Sequence, residues 1–331
     1  MAPYATDEQT LHNQNKDLPK LKAPQADDWK FKVSYTTVFV MLYLHLSALY
    51  GLYLSFTSAS WATIVYGIIL LEVGILGLMA GAHRLWCHRS YKATFPLQTL
   101  LMLFQSTAGE YTAFNWVRDH RLHHSYSDTD GDPSNSTRGL FFSHLGWTVV
   151  HKHPEVKRRG ASLDMSDLLS NPVLMFQKKY GFYIITFFTY VLPTIIPMYF
   201  WGETFNTAYH VNILRTILSL NFTALINSAS HSIGRRPYDK EVQATENIAV
   251  NLATLGEGFH NYHHVFPWDY RAAELSSKLN WTAAFIDFFA WIGWAYDLKT
   301  VENGIVVKRA MRCGDGTYEG GLRCETVFKN E

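Results

Sequence analysis

The sequence predicts an all-α integral membrane protein: four transmembrane helices in two hairpins, with a cytosolic helical cap that holds a histidine-ligated di-metal site. Three observations lead there. Two pairs of apolar stretches have the length of bilayer crossings. The segment between the pairs is rich in Lys and Arg, whereas the two hairpin turns carry none. Eight of the 15 histidines fall into three tight groups on the side of the bilayer where that basic segment lies.

The 331 residues are 15% aromatic and 17% charged, respectively high and low for a soluble protein, and the net charge of +1 gives no argument for nucleic acid as a partner. Residues 1–32 are polar with mixed charges and read as a flexible cytosolic tail; no apolar core follows a basic start, so no cleavable signal is expected. Between Val33 and Leu71 there is no Asp, Glu, Lys or Arg. This run divides at Thr57-Ser-Ala-Ser60 into crossings at about 35–56 and 61–82. Residues 97–114 are apolar but short and interrupted by Glu110, which suggests a helix or re-entrant segment rather than a crossing. Asp128-Thr-Asp-Gly-Asp-Pro133 lacks the downstream Glu of a calcium loop and reads as a turn with helix-capping aspartates. A third crossing at 182–202 carries Pro193 and Pro197, and its return at 205–229 has Arg215 mid-span.

The loop from Arg84 to Tyr180 holds about a dozen Lys and Arg, so it faces the cytosol. Four crossings then place both termini and every histidine group on that side. The main domain is 33–308, its cap formed by 83–181 and 230–308, followed by a tail at 309–331. Asn280–Trp294 is rich in Trp and Phe and reads as an interfacial or cap-packing helix. Cys87, Cys313 and Cys324 are too few and too irregular for a disulfide framework, which fits a reducing compartment.

The histidine groups carry the chemistry. They are His83-Arg-Leu-Trp-Cys-His88, His120-Arg-Leu-His123-His124 and His260-Asn-Tyr-His263-His264. In a helix the second and third place three imidazoles on one face, at i, i+3 and i+4. The first has its two histidines five apart, which a helix end or loop could bring together. His231, in Asn227-Ser-Ala-Ser-His231, makes a ninth candidate. Neutral imidazole suits iron, copper, nickel and zinc, and a single zinc takes about four ligands, so eight or nine imidazoles imply two metal ions.

The boxes resemble those of the membrane-bound fatty acyl-CoA desaturases, most of all the insect, moth-type enzymes. The resemblance runs from about Trp29 to about Lys308. It rests on Gly81-Ala-His-Arg-Leu-Trp, Trp116-Val-Arg-Asp-His-Arg-Leu-His-His124, Phe141-Phe-Ser-His-Leu-Gly-Trp147, Asn227-Ser-Ala-Ser-His231 and Gly256-Glu-Gly-Phe-His-Asn-Tyr-His-His-Val-Phe-Pro-Trp-Asp-Tyr270. It implies two iron ions (Fe2+) held by His83, His88, His120, His123, His124, His231, His260, His263 and His264, with Asn227 reaching the second iron through water. It implies an O2-dependent oxidoreductase of the endoplasmic reticulum membrane that inserts a double bond into a saturated, or monounsaturated, fatty acyl-CoA. Cytochrome b5, fed by its reductase, would supply two electrons, and the products would enter fatty acid or pheromone-precursor biosynthesis. The membrane lipid would surround a mushroom-shaped fold. Unactivated C–H bonds lie beyond side-chain acids and bases, and zinc is redox-inert, so a redox metal makes chemical sense.

For the headgroup, Arg118, Asp119 and Lys152 match positions that contact CoA in the family. Two others depart from it: His151 stands for an Arg and Thr37 for an Asn. For the tunnel, Trp116 and Thr223 match residues that line the bend, while Glu110 replaces a usual Gln and Ala224 a usual Trp. These two departures are expected to alter chain length or double-bond position. A related conjugase, acetylenase or hydroxylase would use the same site. A non-catalytic acyl-CoA- or metal-binding protein is opposed by the completeness of the boxes.

Overall fold

A computed structural model describes residues 30–274 and 279–320. Most of the polar tail expected at 1–32, and the last 11 residues of that expected at 309–331, lie outside the described residues. The first hairpin is α1, Tyr35–Thr57, and α2, Trp61–Leu76. Ser60 caps α2 by accepting from the Thr63 amide. From Gly77 to Cys87 the helix continues without interruption in π-helical form. This is the physical answer to the first histidine box: i→i+5 hydrogen bonding matches a five-residue spacing. The His88 amide donates to the His83 carbonyl at 3.1 Å, and the two rings stand 4.8 Å apart. His88 is the C-cap of this π-helix, so the helix end expected from the sequence is where the two rings meet.

The short apolar segment forms two helices, α3 (Phe95–Thr107) and α4 (Ala113–Tyr126), which meet at a bend through Gly109. Gly109 has φ +76°, and a Cβ there would lie 2.8 Å from Thr189 Cγ2, so both conformation and space call for glycine. Thr112 starts α4 by accepting from the Asn115 amide. The third long helix begins ten residues earlier than expected. It runs as α5 (Pro172–Thr186), a π-helical turn at Phe187–Val191, and a final stretch at Leu192–Trp201. Asn171 supplies its cap and Pro172 its first residue, a pairing that fixes the start in the polar region. α6, Phe205–Ser228, returns and ends in a 3-10 turn at Ala229–His231.

Three of these helices are long and apolar enough to cross a membrane: Tyr35–Thr57, Trp61–Cys87 and Pro172–Trp201. α6 has the length, 24 residues, but a more polar composition. Its polar groups are turned inward. Arg215 is 3% exposed and donates to the carbonyls of Thr107 and Thr189 and to Asn212 Oδ1. The buried cation thus caps the end of α3 instead of meeting a carboxylate.

The two hairpin turns meet at one end of the bundle. Glu203 accepts from the Ser60 amide at 3.0 Å and from the Thr63 hydroxyl at 2.6 Å. At the other end, the cap closes over the helices through an antiparallel pair, Lys92–Ala93 with Ala295–Tyr296. Leu85, Trp86, Leu101, Phe114, Leu174 and Phe289 form the main core beneath it. The third histidine box lies on α7, His260–Val265. The aromatic helix α8, Trp281–Trp291, buries Ile286 and Phe289 and leaves Trp281 and Trp291 exposed. The C-terminal helix Asn303–Cys313 spans the boundary placed at 308 and buries Val306 and Ala310.

α1 and α6 touch backbone to backbone: a Cβ on Gly51 would lie 2.1 Å from the His210 carbonyl oxygen. Gly51→Ala is therefore expected to destabilise the bundle by about 1–3 kcal/mol. Thermal unfolding of the detergent-solubilised chain measures it; an unchanged midpoint would contradict this packing.

Candidate metal centre

The nine candidate histidines converge beneath the cap in two groups. His83, His88, His120, His124 and His263 form one, and His123, His231, His260 and His264 the other; within each group the nearest ligand atoms lie within 4.8 Å of one another. α4 feeds both groups from one face: His120 and His124, one turn apart, join the first, and His123 the second. α7 divides its histidines in the same manner, His263 to the first, His260 and His264 to the second.

The nitrogens that meet are Nε2 atoms. In the first group His83 and His263 are 2.9 Å apart and His263 and His124 3.0 Å. In the second, His231 and His260 are 3.1 Å apart, His260 and His264 3.1 Å, and His264 and His123 3.3 Å. Among the described residues, His88 Nε2 and His120 Nε2 are buried with no hydrogen-bond partner.

Carboxylates decide which nitrogen carries the proton. His83 Nδ1 lies 3.0 Å from Glu257, His123 Nδ1 2.9 Å from Asp132 and His231 Nδ1 3.1 Å from Asp128. An N–H at Nδ1 leaves the lone pair of Nε2 directed at the cluster. Burial, and after it repulsion between neighbouring rings, holds His88, His120, His124, His260, His263 and His264 well below the ordinary imidazole range. Burial opposes charge on Glu257 as well, but Arg84 and His83 outweigh it and hold the carboxyl at about 2. Arg84 is 1% exposed and grips Glu257 through Nε at 2.9 Å and Nη2 at 2.6 Å.

Neutral imidazoles with facing lone pairs repel one another unless a cation sits between them. Metal–nitrogen bonds of about 2.0–2.1 Å put neighbouring ligand atoms roughly 2.8–3.4 Å apart in octahedral or tetrahedral geometry. The observed separations fit such a shell in both groups.

The carboxylate shell was not singled out in the sequence. Asp128 and Asp132, read there as helix-capping turn residues, hold histidine rings, although Asp128 also accepts from Ser136. Their adjacency to the second box, and that of Glu257 to the third, was the available signal. Cys87 is buried between two ligands and joins neither group.

A cavity of about 250 Å³ opens beside the metal centre. Its wall includes His83, His120 and His123 together with Asn227, so the residue expected to act through water shares the space with both groups. Glu110, Trp116, Asp119, Thr223 and Ala224 also line it. Arg118 and Lys152 stand behind this lining, each paired with Asp119, at 3.1 Å and 2.5 Å. Thr37 lines the wall, whereas His151 faces solvent. His144 lines it too, fixed by Ser228 at 2.9 Å and Asn221 at 3.1 Å.

The sequence signature of the fatty acid desaturase family matches residues 59–283. The chain is 56% identical over 330 residues to the acyl-CoA Delta(11) desaturase of Choristoneura rosaceana, covering 98% of each. It is 57% identical over 310 residues to the (11Z)-hexadec-11-enoyl-CoA conjugase of Bombyx mori, covering 93% of this chain and 94% of that one. With the stearoyl-CoA desaturase of Homo sapiens it shares 45% over 304 residues, 92% and 84% of the two chains.

Removing one orienting carboxylate, by Asp132→Ala or Glu257→Ala, is expected to weaken metal binding about 10–100-fold. Metal retained per chain after graded chelator treatment reads this; retention equal to wild type would remove these carboxylates from the site.

Proposed function

The chain belongs to the fatty acid desaturase family, and from that premise we propose that it inserts a double bond into a fatty acyl-CoA at a di-iron centre. It is an acyl-CoA desaturase, an oxidoreductase. The reaction takes two vicinal hydrogens from the chain and O2, two electrons and two protons from outside. It yields the alkene and two molecules of water. The observation that carries this reading is the pair of all-imidazole clusters opening on an apolar cavity. Iron bound there would supply the activation of O2 that breaks an unactivated C–H bond.

The chain's own residues do the rest. His83, His88, His120, His124 and His263 would hold one iron, and His123, His231, His260 and His264 the other, with Asn227 completing the second through water. Glu257, Asp128 and Asp132 hold three of these rings with Nε2 bare. Arg118, Asp119 and Lys152 would bind the CoA end at the cytosolic mouth. Trp116, Thr223, Ala224 and Glu110 would form the wall that presents one methylene among many to the metals.

Cytochrome b5 is the proposed electron donor and the endoplasmic reticulum membrane the proposed site. α6 would be the fourth crossing, since its 24 residues extend about 36 Å and its charge is buried. Two hairpins whose turns share one end then leave both termini and the 33–308 desaturase domain's cap in the cytosol. The basic residues of the cap support that side. The similarity to the Bombyx mori conjugase favours a second reading, in which the acyl chain already bears a double bond.

Expression in desaturase-deficient yeast, followed by fatty-acid analysis, tests the reaction. A new unsaturated acid is expected from wild type and none from His124→Ala. Iron-loaded wild-type protein that gives no product from saturated or monounsaturated chains would contradict the proposal. Ala224 is 5% exposed on the cavity wall. Ala224→Trp should therefore change double-bond position or favoured chain length, and an unchanged product profile would clear Ala224 of that role.

A further inference from the structure

The cavity wall holds one acid whose charge state the proposed reaction leaves unassigned. Glu110 sits in the bend between α3 and α4 and lines the cavity. Its Oε2 accepts from the indole Nε1–H of Trp116 at 3.2 Å. Its Oε1 is buried with no hydrogen-bond partner. Thr223, on α6, lies beside the same carboxyl. Its hydroxyl hydrogen is committed to the Ser219 carbonyl at 3.0 Å, so it has only lone pairs to offer.

The charged groups nearby do not offset an anion at this point. Asp119 occupies Arg118 and Lys152. Arg215 is engaged by backbone carbonyls and Asn212. The other titratable groups on the wall are Tyr111, Tyr190, His144 and the cluster histidines His83, His120 and His123. The phenols stay neutral below about pH 10. His144 is fixed between Ser228 and Asn221. A carboxylate at Glu110 would be a buried, unpaired charge, whereas a carboxylic acid fits. One oxygen accepts from the indole, and the other has a proton to give to Thr223.

We propose that Glu110 is a positioning residue of the acyl tunnel that works as a neutral acid, fixing the Trp116 indole and presenting no charge to the substrate chain. The indole is the link to the metal centre: it stacks on His120, ring centroids 4.8 Å apart at 26°. The inference rests on the acyl-CoA reading for the identity of the ligand. It also refines what the sequence suggested. A protonated Glu has the shape of Gln and the same acceptor for the indole, so an altered bend falls to Ala224.

Burial pushes the Glu110 carboxyl up to about 7, against the opposing effect of the Trp116 N–H. The neutral form is therefore complete at lower pH and is lost as pH rises through 7. Between pH 6 and 8 the neutral fraction falls about tenfold, and affinity for an apolar chain should fall in proportion.

The test uses the purified full chain in detergent with palmitoyl-CoA. Dissociation constants are measured calorimetrically at pH 6 and 8, and product double-bond position, KM and kcat are measured in microsomes. Wild type should bind about tenfold more weakly at pH 8. Glu110→Gln should bind equally at both and keep the wild-type double-bond position. Glu110→Leu should also be pH-independent but, with the indole untied, lower kcat and scatter the double-bond positions. A pH-independent wild type, a pH effect that persists in Glu110→Gln, or a wild-type product and kcat from Glu110→Leu would overturn the proposal. Failure of every variant to bind palmitoyl-CoA at either pH would overturn the acyl-CoA reading itself, and this proposal with it.

Discussion

Facing lone pairs in a buried space are the constraint on which the rest of the molecule depends. His83, His124 and His263 bring Nε2 atoms to about 3 Å in one group, and His231, His260 and His264 do so in the other. Such an arrangement is repulsive by itself. It is held together by the fold, and a cation in each group would relieve it. The fold must therefore be rigid where it carries these rings. A π-helix spaces the first box, two turns of α4 and α7 divide the second and third, and carboxylates fix three tautomers from behind.

The membrane helices contribute position more than chemistry. Their turns are tied together through Glu203 at one end, and the histidine groups lie at the other. Buried polar contacts keep the frame in register: Arg215 on the carbonyls of Thr107 and Thr189, and Gln177 on Gln105 and Ser106. The same contacts shape the bend at Gly109, where α3 gives way to α4 and the cavity wall turns. The candidate metal centre and the cavity thus share residues. Trp116 touches His120 on one side and Glu110 on the other.

Much of this was legible in the sequence because it is periodic or local. The i, i+3, i+4 spacing placed His120, His123 and His124 on one helix face, and the uncharged run located α1 and α2. What was not legible depends on tertiary contact. The π-helix at Gly77–Cys87 leaves no compositional trace beyond the five-residue gap. Asp128 and Asp132 look like turn residues because they are also that. α5 starts at Pro172 because Asn171 caps it there, whereas hydropathy registers only the apolar half. The neutral form proposed for Glu110 follows first from its burial away from any unpaired cation, a tertiary property that no pattern of residues records.

The most direct test of the central claim is the metal content of active enzyme purified from iron-replete cells, read by mass spectrometry with X-ray absorption for the ligand shell. The account predicts two irons per chain in an all-light-atom shell rich in nitrogen, at about 2.1 Å. Full activity with one iron or none, or a shell containing sulfur, would contradict it.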